Sequence, residues 1–134
     1  MAVALTHQLK HPSVNSVKTL LGLGYSSLAE LYKTSCRYID TESSIWKKAG
    51  DESKRKMKNE SANLLILIDQ FEEFFTNPEN FFRGRVSADS KTFINLIIET
   101  NKKAIEQDLP IYIVCTMRSD YIGHCTNIQG LPEL

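Results

Sequence analysis

Residues Leu64 to Phe75 read LLILIDQFEEFF. An apolar run ends in Asp69, and two further carboxylates, Glu72 and Glu73, follow between phenylalanines. A short, continuous apolar segment containing Ile66 and Ile68 predicts a strand buried on both faces. The fold and the function both turn on why acids stand where that element stops.

Downstream of this stretch, Asn77-Pro78 is a turn signal. Ser87-Ala-Asp-Ser then introduces Phe93, Ile94, Leu96, Ile97, Ile98, Ala104 and Ile105, a spacing that predicts an amphipathic helix of about five turns. The helix is expected to stop before Leu109-Pro110, because the residue before a proline avoids helical backbone. Ile111 to Cys115, IYIVC, predicts a second short strand. Strand, helix, strand in this order implies a right-handed crossover between parallel strands. The class is α/β, with helices covering a parallel sheet.

Upstream, Val14 to Tyr38 carries Val17, Leu20, Leu21, Leu28, Leu31 and Tyr32 at helical spacing, interrupted at GLGYSS. Ser26 or Ser27 is suited to cap a second helix near Leu28, with Glu30 in its first turn. Asp40 to Ala62 is polar. Within it KKAGDESKRKMK holds six basic and two acidic residues. With no aromatics interleaving the charges, a solvated loop or exposed helix is the better reading than a nucleic-acid patch.

The chain has 134 residues, 42% hydrophobic and 24% charged, with zero formal net charge. A balanced charge argues against bulk attraction to nucleic acid or an anionic membrane. No apolar run reaches the length of a membrane span, and MAVALTHQLKHPS lacks the pattern of a signal peptide. Cys36, Cys115 and Cys125 are odd in number and form no CxxC, which predicts a reduced, cytoplasmic protein.

Ligand sites of open α/β sheets lie beyond the carboxyl ends of the strands. Asp69 stands at that end of the first strand, and Thr116, Met117 and Arg118 at that end of the second. An aspartate there suits a hydrated magnesium ion, which takes one or two carboxylates alongside waters and phosphates. A second carboxylate one turn on suits the orientation of a water, and the Arg118 guanidinium suits bidentate contact with phosphate. Plainer readings stand beside these. Asp69 could simply cap the next turn. Glu72 and Glu73 could be solvent-facing acids on a first helical turn, where the dipole favours them. Arg118 could pair with Asp120 or Glu72. Phe71, Phe74 and Phe75 read as core, and Cys115 as a buried small hydrophobe. His124-Cys125 lacks a second pair at ligand spacing, which argues against zinc.

LLILIDQFEEFF resembles the Walker B segment of the novel STAND group of P-loop NTPases, signal-transduction ATPases often found ahead of WD40 repeats. IYIVCTMRSDYIG resembles the next strand of that group, with its nucleotide-sensing arginine. GYSSLAELYK and the closing QGLPEL are similar to family stretches before and after these, so the likeness covers roughly Gly22 to Leu134. The resemblance implies a partial parallel-sheet P-loop NTPase (ASCE/STAND-like) fold, with a helical and polar part over 1–62 and the Walker B strand, crossover helix, sensor strand and following helix over 63–134. It implies that Asp69 holds Mg2+ through water and that Glu72 or Glu73 polarises the hydrolytic water. Arg118 and Thr116 would contact the nucleotide, ATP, and hydrolysis would be a slow conformational switch. Implied partners are the nucleotide, other domains of the same chain such as WD40 repeats, and further copies on oligomerisation, with no nucleic acid and no membrane.

One departure weighs against a complete site. GxxxxGK[ST] occurs nowhere in the sequence, and GLGYSSL has neither the lysine nor a preceding apolar strand. The expectation is a fragment of a longer protein in which the Walker A strand is missing, leaving the edge of Ile111 to Cys115 unpaired and the chain alone a weak ATP binder without activity. The alternative is a non-catalytic α/β interaction or scaffold domain that has lost nucleotide chemistry. A receiver-like phospho-acceptor domain is disfavoured, since it needs an acidic pair after the first strand and a late lysine.

Overall fold

The computed structural model describes residues 5, 7–9, 13–22, 24, 25, 27–82, 85–126, 128, 130 and 131. They form two compact units, Met1–Leu64 and Leu65–Leu134. No helix among the described residues is long and apolar enough to cross a membrane.

The first unit is helical. Helix α1 (Val14–Leu21) and helix α2 (Ser27–Lys33) pack on one another, and Val17, Leu28, Ala29, Leu31 and Tyr32 are buried. Val17, Leu28, Leu31 and Tyr32 are among the residues that the helical spacing selected, Leu21 is half-buried, Ala29 was not selected, and the break falls at the glycine-containing stretch. Of the two proposed capping serines, Ser26 lies outside the described residues, and Ser27 is the first residue of α2. Tyr32 donates its hydroxyl to the Ala62 carbonyl (3.0 Å), and Arg37 donates to the carbonyls of Gln8 (3.1 Å) and Glu60 (3.0 Å). Three distant segments are thereby tied by side chains whose polar ends satisfy backbone groups. The polar stretch forms two helices, α3 (Ser44–Lys48) and α4 (Asp51–Glu60), and neither buries a residue. The exposed-helix reading of this segment therefore holds. Ser43 caps α3 by accepting from Trp46 N, and Asp51 and Glu52 occupy the first turn of α4, where acids complement the helix dipole.

In the second unit, β1 (Leu64–Ile68) and β4 (Ile111–Cys115) are hydrogen-bonded neighbours in a two-stranded parallel sheet. Both strands have the predicted bounds. Between them lie a short helix α5 (Glu73–Thr76), a hairpin of β2 (Phe81–Phe82) and β3 (Arg85–Val86), and the long helix α6 (Ala88–Glu106). The hairpin pairs Phe81 with Val86 and Phe82 with Arg85, antiparallel. Two-residue strands are too short for alternation to show, so the sequence pattern did not reveal them.

Ser87 caps α6, its Oγ accepting from Ser90 N at 3.2 Å, and Ser90 in turn donates to Asn80 Oδ1 at 3.1 Å. The helix stops where expected. Asp108 takes a left-handed backbone (φ 51), and Leu109 N donates back to the Ala104 carbonyl at 2.9 Å, a helix-ending arrangement in which orphan carbonyls find donors. Helix α6 packs against β4. Ile94 and Ile98 close on Phe71 and Phe75 to form a buried cluster, with Ile68, Phe74, Val86, Met117 and Leu131 packed around it. Gly130 meets this cluster with φ 87, and a Cβ there would stand 3.3 Å from Ile98 Cγ2.

The expected burial of both strand faces is not observed. Leu65 and Leu67 on β1 are 64% and 63% exposed, and Tyr112 and Val114 on β4 are exposed as well. The period-2 geometry of a strand sends these four side chains away from the residues that face the core.

Candidate functional site

The phenylalanines answer the question posed by the acids. Phe71, Phe74 and Phe75 recur at a spacing that puts them on one side of a helical turn. Phe71 and Phe75 are buried, with ring centroids 5.9 Å apart in an edge-on arrangement, and Phe74 stacks on Phe93 at 5.6 Å. Seating these rings in the core turns the intervening Glu72 and Glu73 outward.

At the carboxyl ends of β1 and β4 the backbone ladder passes into side-chain hydrogen bonds. Thr116 N donates to the Ile68 carbonyl and Phe71 N to the Thr116 carbonyl, both at 2.9 Å. The Thr116 hydroxyl donates to Asp69 Oδ1. Gln70 N also reaches Asp69 Oδ1 (3.0 Å) and Thr116 Oγ1 (3.2 Å). Gln70 adopts φ 54, a left-handed conformation that costs a non-glycine residue about 1–2 kcal/mol. That turn brings its N–H into the angle between Asp69 and Thr116. Nothing in a glutamine signals this conformation, and sequence reasoning missed the residue.

Glu72 reaches the same rim, its Oε2 accepting from Arg118 N at 3.4 Å. Asp69, Thr116, Glu72 and the Arg118 backbone thus meet, although 46 residues separate Glu72 from Arg118. Glu73 is the first residue of α5 and exposed; its carboxylate has no hydrogen bond or ion pair among the described residues. The Arg118 guanidinium turns to Asp120 (2.7 Å) and lies over the Tyr121 ring (5.4 Å to the centroid). Its side chain is 67% exposed, and an exposed pair of this type is weak.

Asp69 is exposed. Its Oδ1 takes the two hydrogen bonds described, and Oδ2 accepts none among the described residues. A single oriented carboxylate with a free oxygen suits magnesium, which needs few protein ligands. No group of three or more His, Cys, Asp or Glu side chains fit to enclose a metal occurs among the described residues. Cys115 is exposed rather than buried. Partial burial of its sulfur, and then the neighbouring Cys125, push its thiol above the ordinary range. Such a thiol is mostly protonated at neutral pH and a poor nucleophile. Cys125 is likewise raised by burial, and its thiol donates to Met117 Sδ at 3.7 Å.

A parallel strand pair with an acid and a hydroxyl joined at its carboxyl end, and a crossover helix packed behind it, is compatible with an α/β NTPase-like fold. A family model described as Novel STAND NTPase 1 matches residues 3–134. The chain belongs to that family. Searches of curated proteins and of solved structures each returned no match. Of the further stretches that resemble the family, QGLPEL lies largely outside the described residues, with Gly130 and Leu131 described.

Proposed function

We propose that this chain carries the magnesium, water and sensor side of an ATP site in a STAND-type signalling ATPase, where nucleotide acts as a slow conformational switch. The observation that supports the reading is the hydrogen-bonded meeting of Asp69, Thr116, Glu72 and Arg118 at the carboxyl ends of two parallel strands. Asp69 holds hydrated Mg2+, with Thr116 and Gln70 N fixing one carboxylate oxygen and leaving the other free. The ion, when bound, neutralises charge on the β- and γ-phosphates. Glu72, already at the rim, is the acid that orients water; Glu73 keeps to the solvent side. Arg118 exchanges its weak pairing with Asp120 for the γ-phosphate, so the loop that follows β4 responds to the nucleotide.

Because GxxxxGK[ST] is absent from these residues, the expected result of titrating ATP-Mg into the chain is no tight binding. Tight binding would refute that part. The metal role is tested with Mn2+ as a paramagnetic probe in NMR. Signals of residues 69–73 and 116–118 should broaden first, and Asp69→Asn should remove the effect. Broadening centred elsewhere, or unchanged by the substitution, overturns it. In a polypeptide that also supplies a phosphate-binding loop, Asp69→Ala should abolish magnesium-dependent hydrolysis, and Arg118→Ala should blunt the conformational response more than binding.

A second reading, an interaction domain without nucleotide chemistry, draws on the exposed apolar face of Leu65, Leu67, Tyr112 and Val114, since parallel sheets are ordinarily covered on both sides.

A further inference from the structure

Zero net charge conceals a segregation. Residues 1–64 hold ten Lys and Arg against six Asp and Glu, and residues 65–134 hold six against ten. Much of the excess in the first unit lies on α3 and α4, the two helices that bury nothing. Lys47 is engaged with Glu42 at 2.7 Å. Lys48, Lys54, Arg55 and Lys58 have no carboxylate partner among the described residues.

The fold adds what the linear sequence lacked, an aromatic among these charges. Lys54 and Lys58 stand one turn apart, and their ammonium groups lie 5.8 and 5.9 Å from the centroid of the Trp46 ring. Beside Trp46, Ile45 is 74% exposed, and Lys48 follows it three residues on, along the same side of α3.

We propose that this face docks on an anionic lipid surface, Ile45 and Trp46 entering the headgroup boundary while Lys48, Lys54, Arg55 and Lys58 meet lipid phosphates and carboxylates. Three features select a bilayer over single-stranded nucleic acid. Base stacking needs an open aromatic face, and two ammonium groups already lie over the Trp46 ring. The most exposed apolar side chain of the patch is aliphatic, suited to acyl chains rather than to bases. Tryptophan flanked by basic residues is the composition of interfacial segments. Charge complementarity supplies most of the attraction, at about fivefold in partitioning per basic residue near an anionic surface, and the binding is therefore reversible and sensitive to salt.

Trp46 is the only tryptophan, so its emission reports on this face alone. The test titrates the 134-residue chain with vesicles of phosphatidylcholine, with or without phosphatidylserine, while following emission and co-sedimentation. A blue shift and sedimentation are expected only with phosphatidylserine, and both should disappear in concentrated salt. Combining Lys54→Glu, Arg55→Glu and Lys58→Glu should weaken partitioning by about a hundredfold or more, with circular dichroism unchanged because α4 buries no residue. Ile45→Ser should weaken it several-fold and leave the salt dependence intact. Lys91→Glu, on α6, should change it little. No binding to phosphatidylserine vesicles, or equal binding by the triple variant, overturns the proposal. So does a Trp46 response to a single-stranded oligonucleotide or to polyglutamate at lower concentration than to the vesicles, which would assign the face to nucleic acid or to an acidic protein.

Discussion

The rim of β1 and β4 and the helix pair α3–α4 are built on opposite plans. At the rim, residues some 46 positions apart are joined, Gln70 to Thr116 and Glu72 to Arg118, and the phenylalanine cluster lies behind them. In α3 and α4 the hydrogen bonds and ring contacts are made mostly within the helix pair itself, from the Ser43 cap to Lys54 and Lys58 over Trp46, and the Arg37 bond to the Glu60 carbonyl is the longer-range exception. One region depends on the whole second unit being folded. The other is a local structure carrying charge. Chemistry that needs ångström positioning belongs to the first, and long-range attraction, which tolerates motion, to the second.

Substitutions should separate the two plans by size of effect. Ile94→Ala, inside the cluster with Phe71, Phe75 and Ile98, should cost about 2–5 kcal/mol by the loss of buried side chain and the cavity left, measured by urea denaturation. A cost under 1 kcal/mol would mean that the cluster is loosely packed. Gly130→Ala should cost about 1–2 kcal/mol, because an alanine resists a positive φ and its Cβ would press on Ile98. Thr116→Val keeps the shape of the side chain and deletes its hydroxyl; the expected loss is about 1 kcal/mol, with weakened protection of the Gln70 amide in hydrogen exchange. Lys58→Ala, on the local region, should change stability by no more than about 0.5 kcal/mol. A larger effect there would erase the contrast. The smallest change is chemical. The raised thiols of Cys115 and Cys125 should react slowly with a thiolate-selective reagent at neutral pH, and their rates should keep climbing above the pH at which an ordinary thiol levels off.

What the sequence disclosed follows the same division. Continuous apolar runs and helical periodicity are signals of burial, so β1, α6 and β4 were legible, with Ser87 marking one helix start and Leu109-Pro110 its stop. The pairing of β1 with β4 followed from the crossover between them. Asp69 and Thr116 could be read as neighbours because they follow directly on the ends of those strands, whereas the choice of Glu72 over Glu73 and the turn of the Arg118 guanidinium to Asp120 could not be read. The left-handed Gln70, the hairpin around Phe82 and the docking of Trp46 under two lysines were not legible. Each depends on where non-adjacent backbone lands rather than on residue type. The exposure of Leu65 and Leu67 was misread for a related reason: an unbroken apolar run announces a strand, but what covers each face is decided by other segments.

Parallel pairing also sets an order of events during synthesis. Asp69 cannot meet Thr116 until 47 further residues have been made, and at a usual elongation rate that takes roughly two to ten seconds. Through that interval LLILI leaves the ribosome as a naked aliphatic tract without its mate. A nascent chain of this design is a natural client for chaperones that shield such tracts, and slowing translation between Phe75 and Ile111 should lower its soluble yield.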